Sequence, residues 1–139
     1  KGLRIMGLGG SIRYNSEETF QYTEREMRRR VRRLWFKAHR AGGIDLLLTH
    51  SPAAGLNDGN DRAHKGFACF NDLLEEYQPK WFVHGHVHLS YNANLPRVCT
   101  HGQTTVINAT ERYTFEIPDP DPVARRRFFW NDPAFPTKN

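Results

Sequence analysis

Long apolar runs are missing from this sequence, and with them any helical membrane span, which takes roughly 20 consecutive apolar residues. Nothing in the sequence reads as crossing a bilayer. Cysteine is nearly absent too: Cys69 falls in a helical pattern and Cys99 in a strand-like one, which makes neither a disulfide framework nor a Cys-x-x-Cys zinc site. Buried, reduced thiols in a cytoplasmic protein are the expectation. No internal repeat is visible. No basic-then-apolar leader opens the chain, although a sequence that starts at Lys1 rather than methionine says nothing of what precedes it. Acidic residues are the scarcer charge, 15 against 20 lysines and arginines, and the net charge of +5 raises the question of a nucleic-acid partner.

That positive charge is concentrated in one segment. From Thr23 onward Met27, Val31, Leu34, Trp35 and Ala38 recur at helical spacing, Thr23 and Glu26 form a capping-box pattern, and Gly42-Gly43 supplies a left-handed stop. Arg28, Arg29, Arg32, Arg33, Lys37 and Arg40 then fall on the solvent side of the helix. A solvated basic face is the favoured reading, with nucleic acid or an acidic partner as the alternative.

The 139 residues suffice for one ordinary domain. The chain alternates strands with helices. Leu3 to Leu8 reads as a first strand, Ile44 to His50 as a second and Trp81 onward as a third. A second helix carries Phe67, Phe70, Leu73, Leu74 and Tyr77 and is ended by Pro79. Arg97 to Thr100, Thr104 to Asn108 and Tyr113 to Ile117 read as an antiparallel edge of three strands. From Pro118 the chain turns proline-rich, and residues 118–139 are expected to form an extended tail whose Phe128, Phe129 and Trp130 dock on the domain or a partner.

Histidine placement carries the chemistry. Trp81-Phe82-Val83-His84-Gly85-His86-Val87-His88 runs an apolar strand into a glycine flanked by histidines at alternate positions, which in extended backbone puts His86 and His88 on one side. Gly85 would let the backbone come close to whatever they hold. The strand ending in Thr49-His50 delivers a third imidazole at its carboxyl end, where ligands of open α/β sheets gather. Imidazole suits zinc, iron and manganese. His84 either packs or supports the ligands from behind. His64 is a helix-start residue or a substrate contact, and Arg13, after Gly9-Gly10, is a surface arginine or a phosphate contact.

Taken together, Asp45-Leu46-Leu47-Leu48-Thr49-His50-Ser51-Pro52, Gly55, Asp58, His64-Lys65-Gly66-Phe67 and Gly85-His86-Val87-His88 resemble the carboxyl half of a calcineurin-like metallophosphoesterase, over roughly Leu3 to Ile117. The resemblance implies an α/β fold, half of a helix-flanked β-sandwich in α-β-β-α layers, with residues 1–117 as a partial domain. It implies two metal ions, manganese, iron or zinc, with His50 and His86 on one and His88 on the other. Phosphate-ester hydrolysis is the activity it implies, and the short connection from Ser51 to His64 favours a small phosphodiester as substrate.

The family's Asp-x-His, Gly-Asp-x-x-Asp and Gly-Asn-His motifs are absent, and Asn57-Asp58-Gly59-Asn60-Asp61, read as a surface loop, does not replace them. The expectation is therefore a chain whose amino-terminal half, carrying the carboxylates and the histidine that protonates a leaving group, lies outside the sequence given. No side chain here is assigned a proton-transfer role. Two other classes stay open: an inactive binding module on the same fold, and a basic nucleic-acid-binding protein.

Overall fold

Within residues 2–15, 19–90 and 95–118, which this computed structural model describes, the elements run in a strand-rich order. They are β1 (Ile5–Leu8), β2 (Ser11–Ile12), β3 (Gln21–Tyr22), α1 (Glu24–Arg40), β4 (Leu46–Thr49), α2 (Ala68–Tyr77), β5 (Trp81–His84), β6 (Val98–His101) and β7 (Thr104–Asn108). The proline-rich segment beyond Pro118, with Phe128, Phe129 and Trp130, lies outside the described residues.

Five strands make one sheet in the order β1-β4-β5-β7-β6, and β2 and β3 pair separately. Parallel strands need crossovers, and α1 and α2 supply two of them, between β1 and β4 and between β4 and β5. β7 continues the parallel run beside β5, and only β6 is antiparallel, joined to β7 through a two-residue loop whose first position is Gly102 at φ 57°. A positive φ there suits glycine. The antiparallel edge read from the sequence is thus two strands rather than three. Tyr113–Ile117 forms no strand: its alternation instead lays Phe115 and Ile117 onto the sheet, against Leu46, Trp81, Val83 and Ile107.

Each face of the sheet has its own packing. Met6, Leu8, Leu47, Phe82 and Val106 point to the helices and meet Met27, Val31, Ala38, Phe70, Leu73 and Leu74 in one core. Full burial of such side chains contributes about 1.5–3 kcal/mol each. The opposite face is only partly covered, leaving Ile5 58% and Leu48 47% exposed. The α/β class is as expected from the sequence. Among the described residues the large sheet carries both helices on one face and the 109–117 segment on the other, with no second large sheet across it.

α1 begins as its sequence dictates. Thr23 accepts from the Glu26 amide, and the Glu26 carboxylate returns a bond to the Thr23 amide. Gly42 and Gly43, at φ 79° and 112°, close its other end, with the Gly43 amide donating to the Ala38 carbonyl. α2 lacks a cap of its own, since Phe67 has no suitable side chain. Glu24 of α1 takes that role, accepting from the amides of Ala68 (3.0 Å) and Cys69 (2.8 Å), where a carboxylate also meets the positive end of the helix dipole. Arg28 departs from the solvent placement expected of it. It bridges Glu24 and Asp72, while Trp35 donates to Glu76 and Tyr77 to the Trp35 carbonyl. Arg29, Arg32, Arg33, Lys37 and Arg40 are exposed as expected.

Candidate metal centre

The carboxyl ends of β4 and β5 lie side by side, and the ladder continues one step beyond each strand. The His50 amide donates to the Leu8 carbonyl (3.1 Å) and the Gly85 amide to the His50 carbonyl (3.0 Å). Both loops therefore leave the sheet at the same edge. Thr49 and Ser51 are buried and bonded to the carbonyls of Ser51 and Gly10, which pins the turn and leaves His50 exposed at its rim.

β5 stops at His84, so the alternation expected to aim His86 and His88 is not that of a strand. A tight turn takes its place: the Val87 amide donates to the Gly85 carbonyl at 2.7 Å, and His86, between them, has φ 67°. The conformational demand falls on His86 rather than on Gly85. A Cβ at Gly85 would meet nothing nearer than the His50 carbonyl oxygen at 3.8 Å, an ordinary contact, so close backbone approach is not what that glycine provides.

This turn brings His86 Nδ1 to 3.0 Å from His50 Nε2. On the far side of the same ring Nε2 lies 2.8 Å from the Ala63 carbonyl. A carbonyl only accepts, so Nε2 carries the proton and Nδ1 of the neutral ring presents its lone pair toward His50. Burial, the largest cause, holds the His86 pKa below the usual histidine value, which favours that neutral form. Two nitrogens each about 2.0–2.1 Å from one ion stand roughly 3 Å apart, so the spacing fits a shared metal. A ligand ring whose other N–H is tied to a backbone carbonyl is also the usual arrangement behind metal histidines. Among the described residues no three His, Cys, Asp or Glu side chains form a complete metal cage.

The other candidates divide. His88 is exposed. His64 lies against His86, ring centres 5.2 Å apart, with Nδ1 held by the Asp61 carboxylate at 2.8 Å. Asp61 also accepts from the amides of Ala63 and His64, and the bond from the His64 ring foremost holds its pKa below the usual carboxylate range. The acidic loop is thus more than surface: Asp61 orients a histidine, and Asp58 accepts from the Gly66 amide. Arg13 is engaged by Glu26 (3.0 Å) and the Gln21 carbonyl. His84 packs in the core on Phe82, its pKa pushed down to about 4 by burial. Sequence reasoning missed Asp61, the Ala63 carbonyl, Asn108 and Thr110. An acidic residue three positions before a histidine was the one available signal.

No protein-family model matches the chain. Among curated proteins it is 38% identical over 73 residues to a UPF0046 protein of Caenorhabditis elegans, covering 48% of this chain and 24% of that one. It is 32% identical over 71 residues to metallophosphoesterase domain-containing protein 1 of Homo sapiens, covering 49% and 20%. The matched segment is thus a quarter or less of these relatives' length. A solved crystal structure shares the fold, with TM-score 0.53, 20% identity, and coverage of 77% of this chain and 40% of that one. The resemblance carried by the Thr49-His50 and Gly85-His88 elements is therefore borne out by homology, over about half of this chain, to UPF0046 and metallophosphoesterase-domain proteins.

Proposed function

We propose that this chain supplies the histidine side of a metal-dependent phosphoesterase centre, with His50 and His86 on one ion and His88 on a second. The observation that carries the reading is the 3.0 Å approach of His50 Nε2 to His86 Nδ1, with His86 Nε2 tied to the Ala63 carbonyl. Manganese, iron or zinc, when bound, would polarise the phosphoryl group and lower the pKa of water for in-line attack. The chain's own part is to hold and orient. His86 presents its Nδ1 lone pair to His50 Nε2, which donates across the pair, and the Ala63 carbonyl fixes that tautomer; a bound metal would take the place of the His50 proton. His64, held by Asp61, stands beside the pair as the substrate-side donor, through the ring nitrogen that Asp61 leaves unused. Arg13 is the weaker phosphate contact, because Glu26 already engages it.

The carboxylates that a dinuclear centre requires belong, in this reading, to an amino-terminal half supplied by the same or a separate chain, packed as the second sheet of a sandwich over the face that exposes Ile5 and Leu48. A small phosphodiester is the preferred substrate, because the connection from Ser51 to His64 is short. The cytoplasmic assignment rests on two unpaired thiols, of which Cys69 is buried with its pKa pushed up to about 12. No helix among the described residues is long and apolar enough to cross a membrane.

The test is hydrolysis of an aryl phosphodiester by a protein extended upstream through the carboxylate motifs. Metal-stimulated turnover should vanish in His86→Ala and His88→Ala, stay unchanged when exposed Arg32 and Arg33 become glutamine, and be nearly absent from the 139-residue chain alone. Loss of activity with the arginine changes but not with His86→Ala would overturn the reading.

A further inference from the structure

We infer that Asn108 is the positioning residue of the metal-binding turn: its side-chain amide, oriented by Thr110, holds the Val87 carbonyl and so keeps His86 in the left-handed conformation that faces it toward His50. The inference rests on the proposed role of His86. A γ-turn with positive φ at a residue other than glycine is strained, and such strain persists only where the surroundings over-determine it. Gly85 and Val87 carry the two ends of this turn. The Gly85 amide is anchored to the His50 carbonyl. At the Val87 end the anchor is Asn108, which stands at the end of β7 in register with His84 and is fully buried.

Asn108 Nδ2 donates to the Val87 carbonyl at 2.8 Å. The orientation of its amide is fixed by chemistry. The Thr110 amide can only donate and the Val87 carbonyl can only accept, so Oδ1 must face the first (3.0 Å) and Nδ2 the second. The Thr110 hydroxyl lies 2.6 Å from Asn108 Oδ1 and 3.0 Å from the Val87 carbonyl, and its single proton reinforces one of these at a time. The backbone around the pair is clamped in turn. Arg97 donates to the carbonyls of Asn108 and Thr110, and the Ala109 amide to that of His84. A strand that contributes no ligand thereby sets the direction of one.

Two measurements on the full chain test this, for Asn108→Ala against Val106→Ala, a buried change on the same strand that leaves the turn's bonds intact. Calorimetry with zinc alone should show affinity lower by about tenfold or more for Asn108→Ala and within about twofold of wild type for Val106→Ala. Hydrogen exchange in metal-free protein should show the Val87 amide losing protection only in Asn108→Ala. Unchanged Val87 protection overturns the inference whatever zinc does. If wild type binds no zinc, the metal reading falls while the exchange result still decides the positioning. Should Asn108→Ala fail to fold, Thr110→Val, which keeps volume and loses the hydroxyl, is read by the same two measurements, with Thr110→Ser expected to restore protection.

Discussion

At the scale of single residues, the loop from Pro52 to Phe67 shows how closely the site is fitted. A Cβ placed on Gly59 would stand 2.5 Å from the Cβ of His64, a separation real structures do not show, while the Gly59 amide holds the His64 carbonyl. Gly59→Ala should therefore push His64 from its place beside His86 with little loss of global stability, because the neighbouring Asn60, Asp61 and Arg62 are exposed. Kinetics of the extended enzyme check it, with KM rising more than kcat falls if His64 binds substrate. An unchanged KM would remove His64 from the site. His50 and His86 were legible in the sequence because each follows an apolar strand within two residues. Asp61, Asn108 and Thr110 were not. Asn108 looks like any polar strand end, and its meaning lies in the Val87 carbonyl, which only the register of β7 against β5 brings within reach. The alternation argument for His86 and His88 assumed a strand geometry that a turn replaces.

At the scale of elements, the bounds of α1 were legible, since a capping box, an apolar stripe and a diglycine stop are all local signals, but Arg28, bridging Glu24 and Asp72, and Trp35, 37% exposed, depart from the faces expected of them. Its link to α2 was not legible. Thr23→Ala should cost about 1 kcal/mol, measured by urea denaturation. The acid limb of stability should flatten with it. Glu26 has its pKa held below its ordinary value, by the bond from the Thr23 backbone first, so its contribution is present above the usual glutamate range and is lost as pH falls through the lowered value. In Thr23→Ala the hydroxyl bond is gone and less remains to lose. If wild type and variant weaken in parallel between about pH 5 and 3, the capping carboxylate adds nothing. Tyr113–Ile117 is the instructive failure among elements. Its period of two was read as a strand, yet the same period serves an extended segment that packs its apolar side chains on a sheet face without joining a ladder.

At the scale of the whole molecule, the α/β class was legible from the alternation of elements, and the parallel run through β7 was not, because parallel partners lie far apart along the chain. That separation reaches beyond architecture. The pairings of β1 with β4, β4 with β5 and β5 with β7 join Ile5 to Leu46, Leu46 to Trp81 and Trp81 to Thr105, and within this sheet, among the described residues, only the β6–β7 hairpin is local. Long loops must close before these contacts stabilise anything, so refolding should take milliseconds to seconds rather than microseconds. His50 and His86 face each other only once β4 has found β5, late in that sequence of closures. Zinc should then act on the exit from the native state and leave the entry alone. At about a hundred times its Kd it should slow unfolding by about 100-fold, the kinetic form of about 2.7 kcal/mol, with the refolding arm of the chevron unmoved. A refolding arm that speeds up with zinc would mean the two histidines meet early, and that the metal serves as a folding nucleus instead of a lock on the finished sheet.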